Sequence, residues 1–271
     1  MNAERLRPLQ QLPMSKLRVL RGVLTDIDDT LTRDGAIEPA ALQALHDLAR
    51  AQVPVVAITG RPAGWCEPFA MAWPVAAIVA ENGAVMLRRE GVSLRCDFTQ
   101  NEATRIENFR RLQACAQAVL HELRFATLAQ DSAGRLTDIA IDHSEFAHLT
   151  AEQITAALAV MRRHGLNATV SSIHVNGWIG AHDKWTAARW AVEQAVGLPF
   201  VGADWLYVGD STNDQLMFER IPLSVAVANI ARFIPSLSAL PAYVTPSERG
   251  AGFAEVVARL LASRSATPPA G

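Results

Sequence analysis

Short apolar runs that end in residues able to carry chemistry, separated by segments of helical period, constrain this chain most. Residues 17–25 read Leu-Arg-Val-Leu-Arg-Gly-Val-Leu-Thr and run into Asp26-Ile27-Asp28-Asp29. Residues 53–58 close on Thr59-Gly60-Arg61, and 205–208 lead into Gly209-Asp210. Runs of this kind, buried on both faces, belong to a parallel sheet. The ends of its strands are where open α/β sheets build sites.

Between these runs the spacing predicts a helix opened by Pro39 and reaching Arg50, and another opened by Pro62. A third strand is expected at 75–79, followed by the turn Glu81-Asn82-Gly83. The pattern then changes. A hairpin is predicted over 85–98, a long helix over 101–123, strands at 136–141 and 168–175, and between them a helix over 151–164 stopped by Gly165. From Lys184 the α/β alternation resumes, with a helix to Val196, strands at 205–208, 223–227 and 242–245, and a last helix over 253–261. The expected organisation is an α/β core made of 1–84 and 184–262, a small α+β module at 85–183, and a disordered tail at 263–271 rich in Ser, Ala and Pro.

Composition narrows the function classes. The 25 Lys and Arg against 27 Asp and Glu leave a net charge near −2, so neither a nucleic-acid nor a membrane-surface protein is expected. Cys66, Cys96 and Cys115 are widely spaced and odd in number, which predicts buried, reduced thiols rather than a disulfide framework or zinc site. The first twenty residues lack the apolar core of a signal peptide, and no run reaches the length of a membrane span. A cytoplasmic enzyme is the expectation.

Asp26 and Asp28 can project toward one pocket while the backbone between them offers a carbonyl, a set of hard oxygen ligands that suits magnesium. Acidic residues also cap ordinary turns, so Asp-x-Asp alone says little. Thr59 and Gly60, before a helix begun by Pro62, can hold phosphate oxygens, as can an ordinary strand-Gly-helix turn that binds nothing. Asp210 and Asp214 sit four residues apart at a helix start, where they can ligate magnesium or simply cap the helix. Lys184 can supply positive charge to a phosphoryl group, although lysines at such places are mostly solvated.

Taken in order, Asp26-Ile27-Asp28-Asp29-Thr30-Leu31, Thr59, Lys184 and Gly209-Asp210-x-x-Asn213-Asp214 resemble the four motifs of the haloacid dehalogenase-like hydrolase superfamily. The module between the second and third motifs, with Glu81-Asn82-Gly83-Ala84 before it, resembles the large cap of the Cof-type, or IIB, subfamily, which includes sugar-phosphate phosphatases. The resemblance implies a Rossmann-like parallel-sheet core with an inserted α+β cap. It implies Asp26 as a nucleophile forming an aspartyl-phosphate, Asp28 as general acid and then base, Thr59 as hydrogen-bond donor to the phosphoryl oxygens, and Lys184 steadying Asp26 and the phosphate. Mg2+ would be held by Asp26, the carbonyl of Asp28, Asp210 and Asp214, the last through water or directly. Asp29 stands where many members carry glycine.

The expected substrate is a small phosphorylated metabolite such as a sugar phosphate, with Thr30, Gly60, Arg61, Asn82, Asn176 and Asn213 as candidate contacts. Trp178 is either a flat face for a sugar or a packed ring, Arg61 either a substrate contact or a surface group, and His174 and His182 are read as structural. Two alternatives stay open: a phosphosugar mutase with the same aspartyl-phosphate, and a catalytically silent metabolite-binding module. The sequence offers no oligomeric interface.

Overall fold

The computed structural model describes residues 6–265. The chain forms two compact units: 1–57 with 73–76 and 188–271, and 58–72 with 77–187. The expected boundary at 84/85 thus falls within the second unit.

The first unit is built on a sheet in the order Arg7–Pro8, Tyr243–Val244, Leu223–Ala226, Trp205–Gly209, Gly22–Thr25, Val55–Ile58, with every neighbouring pair parallel. The last four of these strands are buried along their whole length, which their near-continuous apolar sequences require. The Pro39–Arg50 helix has Pro39 in its first turn and buries Ala41, Ala44, Leu45 and Leu48 against the Arg249–Ser265 helix.

Two expectations about this unit are corrected. Leu17 does not begin a strand: it is the buried residue of the short Met14–Arg18 helix, and the strand is only Gly22–Thr25. An apolar run cannot by itself separate a buried helical turn from a strand. Nor does the last helix stop at 261. It runs to Ser265, with Ser263 fully buried, because Arg18 Nε donates to Ser263 O at 2.9 Å and Arg264 Nη2 donates to Leu20 O at 2.5 Å. The rest of the expected tail, 266–271, lies outside the described residues.

The second unit holds two sets of antiparallel strands. Ala77–Ala80, Val85–Glu90 and Ser93–Phe98 pair in sequence, packed by the Ala63–Ala72 helix. Asn167–Val170, His174–Trp178 and Asp138–Asp142 form the other sheet, with the last strand at its far edge. The Glu102–Glu122 and Ala151–Arg163 helices cover it, and Leu112, Cys115, Val119, Val160, Met161, Ile139, Ile141 and Val175 make the core. Asn101 caps the first helix by accepting from Thr104 N at 2.9 Å, and Thr150 with Gln153 forms a capping box on the second.

The single strand expected over 168–175 is instead a hairpin turning at Ser171, whose N–H donates to His174 O at 2.8 Å. Asn176 and Gly177 therefore lie inside a strand rather than ending one. Cys66 and Cys115 are buried and in no disulfide, as expected, but Cys96 is exposed because it lies on the outer strand of its sheet. The helix from Lys184 keeps α geometry to Ala191 and widens to a π turn over Val192–Val196, ended by Gly197 at φ 75°. The whole is an α/β fold: a parallel-sheet core interrupted in sequence by an α+β insertion.

Candidate active site

The first unit gathers Asp26, Asp28, Thr30, Asp210, Asn213 and Asp214 from the expected set. Thr25 and Val208 are partners on adjacent parallel strands, so both strands release their acidic residues at the same edge. Asp26 N donates to Val208 O at 2.9 Å, which locks the two strand ends. One carboxylate oxygen from each of Asp26, Asp210 and Asp214 lies within 4.8 Å of the others, and all three residues are buried.

The three acids are held differently. Asp214 Oδ1 accepts from the buried Tyr207 phenol, while Oδ2 accepts from Asp210 N at 2.8 Å and Ser211 N at 3.1 Å. Gly209 makes this possible, since a Cβ there would sit 2.5 Å from Asp214 Oδ2. Asp214 is thus the cap of its own turn, as one sequence alternative had it, as well as a member of the acidic trio. Asp210 Oδ2 accepts from Asn229 Nδ2 at 2.9 Å, with the Arg232 guanidinium at 3.9 Å, but its Oδ1 is buried with no hydrogen bond.

Burial, and then the neighbouring carboxylates of Asp26, Asp214 and Asp29, push the Asp210 carboxyl well above its usual range, opposed by Arg232. The Tyr207 phenol is pushed up by the same two causes. Three clustered buried acids with an orphaned oxygen are the surroundings a hard divalent cation stabilises, so Asp26, Asp210 and Asp214 fit Mg2+. The Asp28 side chain is not one of the three, which leaves its backbone carbonyl as the atom the resemblance assigns to the ion.

The loop after Asp26 is tied by Leu31 N donating to Ile27 O at 2.8 Å. Asp29 sits at φ 53°, in the left-handed region glycine enters freely, and its carboxylate is gripped by Arg249 Nε at 2.7 Å and Arg232 Nη2 at 2.9 Å. Thr30 Oγ1 is buried without a partner. Asn213 accepts from Ser211 Oγ at 2.9 Å. Asn229, which sequence reasoning passed over, joins these parts: its amide donates to Asp210 and to Asp29 O, and its oxygen accepts from Arg249 N at 3.0 Å. The available signal was an amide following the apolar run 223–227.

The second unit holds Thr59, Gly60, Arg61, Asn82, Asn176 and Lys184. Thr59 N donates to Val79 O at 2.9 Å, Thr59 O accepts from Asn82 N at 3.0 Å, and Thr59 Oγ1 accepts from Arg61 N at 3.0 Å. Lys184 starts its helix as a buried residue rather than a solvated one. Arg61 is no surface group. It is 4 % exposed, bonded to Asp131 at 3.1 Å and Glu145 at 2.7 Å, with its guanidinium over the Trp65 ring. Burial works to raise the Glu145 carboxyl, yet His174 and Arg61 hold it down at about 2. Trp178 is a packed ring whose Nε1 donates to His182 O at 2.9 Å.

Glu81 is the second residue missed as part of a site. Fully buried, it accepts from Ala63 N, Leu136 N, Thr137 N and Thr137 Oγ1, and so joins three separate segments. Its place after the apolar run 75–80 parallels that of Asp26 and Asp210 after theirs.

The site is thus a buried acidic trio released at the strand ends of a parallel α/β sheet. The chain belongs to the haloacid dehalogenase-like hydrolases, whose family model matches residues 23–169. It is 26% identical over 253 residues to a phosphoglycolate phosphatase of Methanothrix thermoacetophila, covering 90% of this chain and 99% of that one. A solved structure from Thermoplasma acidophilum superposes with a TM-score of 0.68 at 18% identity, over 90% of this chain and 99% of its own. The sucrose-phosphatase of Synechocystis sp. PCC6803, solved with sucrose and phosphate, superposes with a TM-score of 0.64 at 16% identity, over 90% and 98% of the two chains. These two likenesses are of fold. Among the described residues no helix is long and apolar enough to cross a membrane.

Proposed function

We propose that the protein is a Mg2+-dependent phosphomonoester hydrolase of small phosphorylated metabolites, working through an aspartyl-phosphate on Asp26. The observation that carries the reading is the buried trio of Asp26, Asp210 and Asp214 with Asp210 Oδ1 left bare. The named phosphatases among the relatives support the reaction class. Mg2+ bound at Asp26, Asp210, Asp214 and the Asp28 carbonyl would supply positive charge to balance the carboxylates and the phosphoryl oxygens.

An Asp26 oxygen attacks phosphorus, the ester P–O bond breaks, and the leaving alkoxide takes the proton of the Asp28 carboxyl. A water then attacks the phosphoryl group and gives its proton to the Asp28 carboxylate, the Asp26 O–P bond breaks, and inorganic phosphate leaves. The roles of Thr59 as phosphoryl hydrogen-bond donor and Lys184 as positive charge rest on the order of the motifs along the chain. So does a cap role for residues 85–183. Cys66 and Cys115, buried and outside any disulfide, are in keeping with a reducing, cytoplasmic setting.

Phosphate release from a broad panel of phosphomonoesters in Mg2+ tests the reading. Asp26→Asn is expected to lower kcat by at least about a thousandfold, on the scale of other lost nucleophiles, and to leave no acid-stable phosphoryl label on the protein. Turnover by Asp26→Asn within tenfold of the parent would sink the assignment.

A further inference from the structure

Asp29 holds a backbone conformation that its side chain must justify. Its φ of 53° lies in the left-handed region, where a Cβ is penalised and glycine is not. Arg249, its ion-pair partner at 2.7 Å, stands in the same region at φ 51°. Two such residues, 220 positions apart in the chain, thus meet across one short charge-assisted bond. Conformations of this kind persist where the surroundings enforce them, and they gather at functional sites.

The second oxygen of the Asp29 carboxylate is the informative one. Arg232 Nη2 donates to Asp29 Oδ2 at 2.9 Å, and the same nitrogen stands 3.9 Å from Asp210 Oδ2. Arg232 is therefore bonded to Asp29 and only beside Asp210, within ion-pair reach but beyond hydrogen-bond length. Asp210 is fully buried and grouped with Asp26 and Asp214, whereas the Asp29 side chain is 12 % exposed. A buried carboxylate is screened less and attracts a cation more strongly. Two bonds oppose that pull. Arg249 fixes Asp29 from its other oxygen, and the Asn229 amide already donates to Asp210 Oδ2 at 2.9 Å.

Arg232 has room to move, since its side chain is 46 % exposed and its guanidinium rests over the Phe233 ring rather than in a packed slot. Closing onto Asp210 would place a full positive charge against a carboxylate that a divalent cation needs. Held back, the guanidinium still lowers the negative potential of the trio without taking a ligand oxygen. We infer that Asp29 is a positioning residue that restrains Arg232 from closing onto Asp210, and that the Asp29 and Arg232 pair thereby sets the affinity of the acidic trio for Mg2+. All of these residues belong to the first unit. The inference rests on the Mg2+ reading of the trio and adds the residues that govern its occupancy.

Calorimetric titration of Mg2+ into the full chain tests it in four proteins: the parent, Arg232→Gln, Asp29→Asn and the double variant. Arg232→Gln removes a nearby positive charge and is expected to tighten Mg2+ binding about three- to tenfold. Asp29→Asn frees the guanidinium to close on Asp210 and is expected to weaken binding about tenfold, a coupling of the size found within one ion-pair network. In the Arg232→Gln background the same change is expected to cost less than about threefold, because no guanidinium is left to close. That difference separates positioning from a plain loss of negative charge or of packing, which would weaken binding by one factor in both backgrounds. Circular dichroism and a cooperative melt identify the folded variants, and Asp29→Gly, which suits the left-handed backbone, replaces Asp29→Asn if the latter does not fold. Mg2+ affinity unchanged or weakened in Arg232→Gln, or an equal loss on changing Asp29 in both backgrounds, would overturn the inference. A parent that binds no Mg2+ would instead fail the Mg2+ reading of the trio, and this one with it.

Discussion

Asp210 carries two oxygens in different states, because the Asn229 amide donates to Oδ2 and leaves Oδ1 bare. Under the proposed role of the trio in holding Mg2+, Asn229 orients one of its ligands, and such partners tune metal affinity or activity. Asn229→Ala is therefore expected to weaken Mg2+ binding roughly ten- to a hundredfold, read by calorimetric titration of the folded protein, with kcat largely restored at saturating Mg2+. Unchanged Mg2+ affinity would show that Asn229 merely fills space. The contrast with Asp26 shows what a sequence displays at this scale. Asp26, Asp210 and Glu81 announce themselves by charge at strand ends, but the atoms that Glu81 and Asn229 bond lie distant in the chain, and nothing in their own neighbourhood names those partners.

Elements follow the same division. The Pro39–Arg50 helix and the Val85–Glu90 and Ser93–Phe98 hairpin were legible because a proline start or a polar turn sits beside a clean apolar period. The Met14–Arg18 helix was hidden in an apolar run, and the turn at Ser171 was hidden because its reversal depends on serine bonds to the backbone rather than on Gly or Pro. Glu81 shows how far one side chain can set elements: it receives the first N–H of the Ala63–Ala72 helix and two backbone N–H groups leading into the Asp138–Asp142 strand. Glu81→Ala would leave three N–H groups unpaired and is expected to cost at least about 3 kcal/mol in denaturant unfolding, with Glu81→Gln milder. A loss under about 1 kcal/mol would mean that water replaces the carboxylate.

His182 is a source of lost stability in mild acid. Burial pulls its imidazole down to about 4, against a weaker upward pull from Asp183. With an unfolded value near 6.5, the unfolded chain binds the extra proton first, so stability is complete above about 6.5 and declines as pH falls toward 4. His182→Gln should narrow the difference between urea midpoints at pH 7 and pH 4.5. An equal difference in both proteins would exclude His182 as a contributor. At this scale the α/β alternation was readable from period, because buried parallel strands and the helices between them space their apolar residues differently.

The order in which the ribosome delivers the chain gives the split unit a temporal meaning. Residues 58–187 emerge as a nearly continuous stretch with their own helices and sheets, whereas Asp26 emerges early and its acidic companions Asp210 and Asp214 arrive far later. At typical synthesis rates that delay is on the order of ten seconds or more. During it the strand bearing Asp26 has no Trp205–Gly209 neighbour, and its apolar residues are open to chaperones and to other nascent chains. A fragment released before Asp210 has Asp26 without its two acidic companions, so partial synthesis leaves the acidic trio unformed.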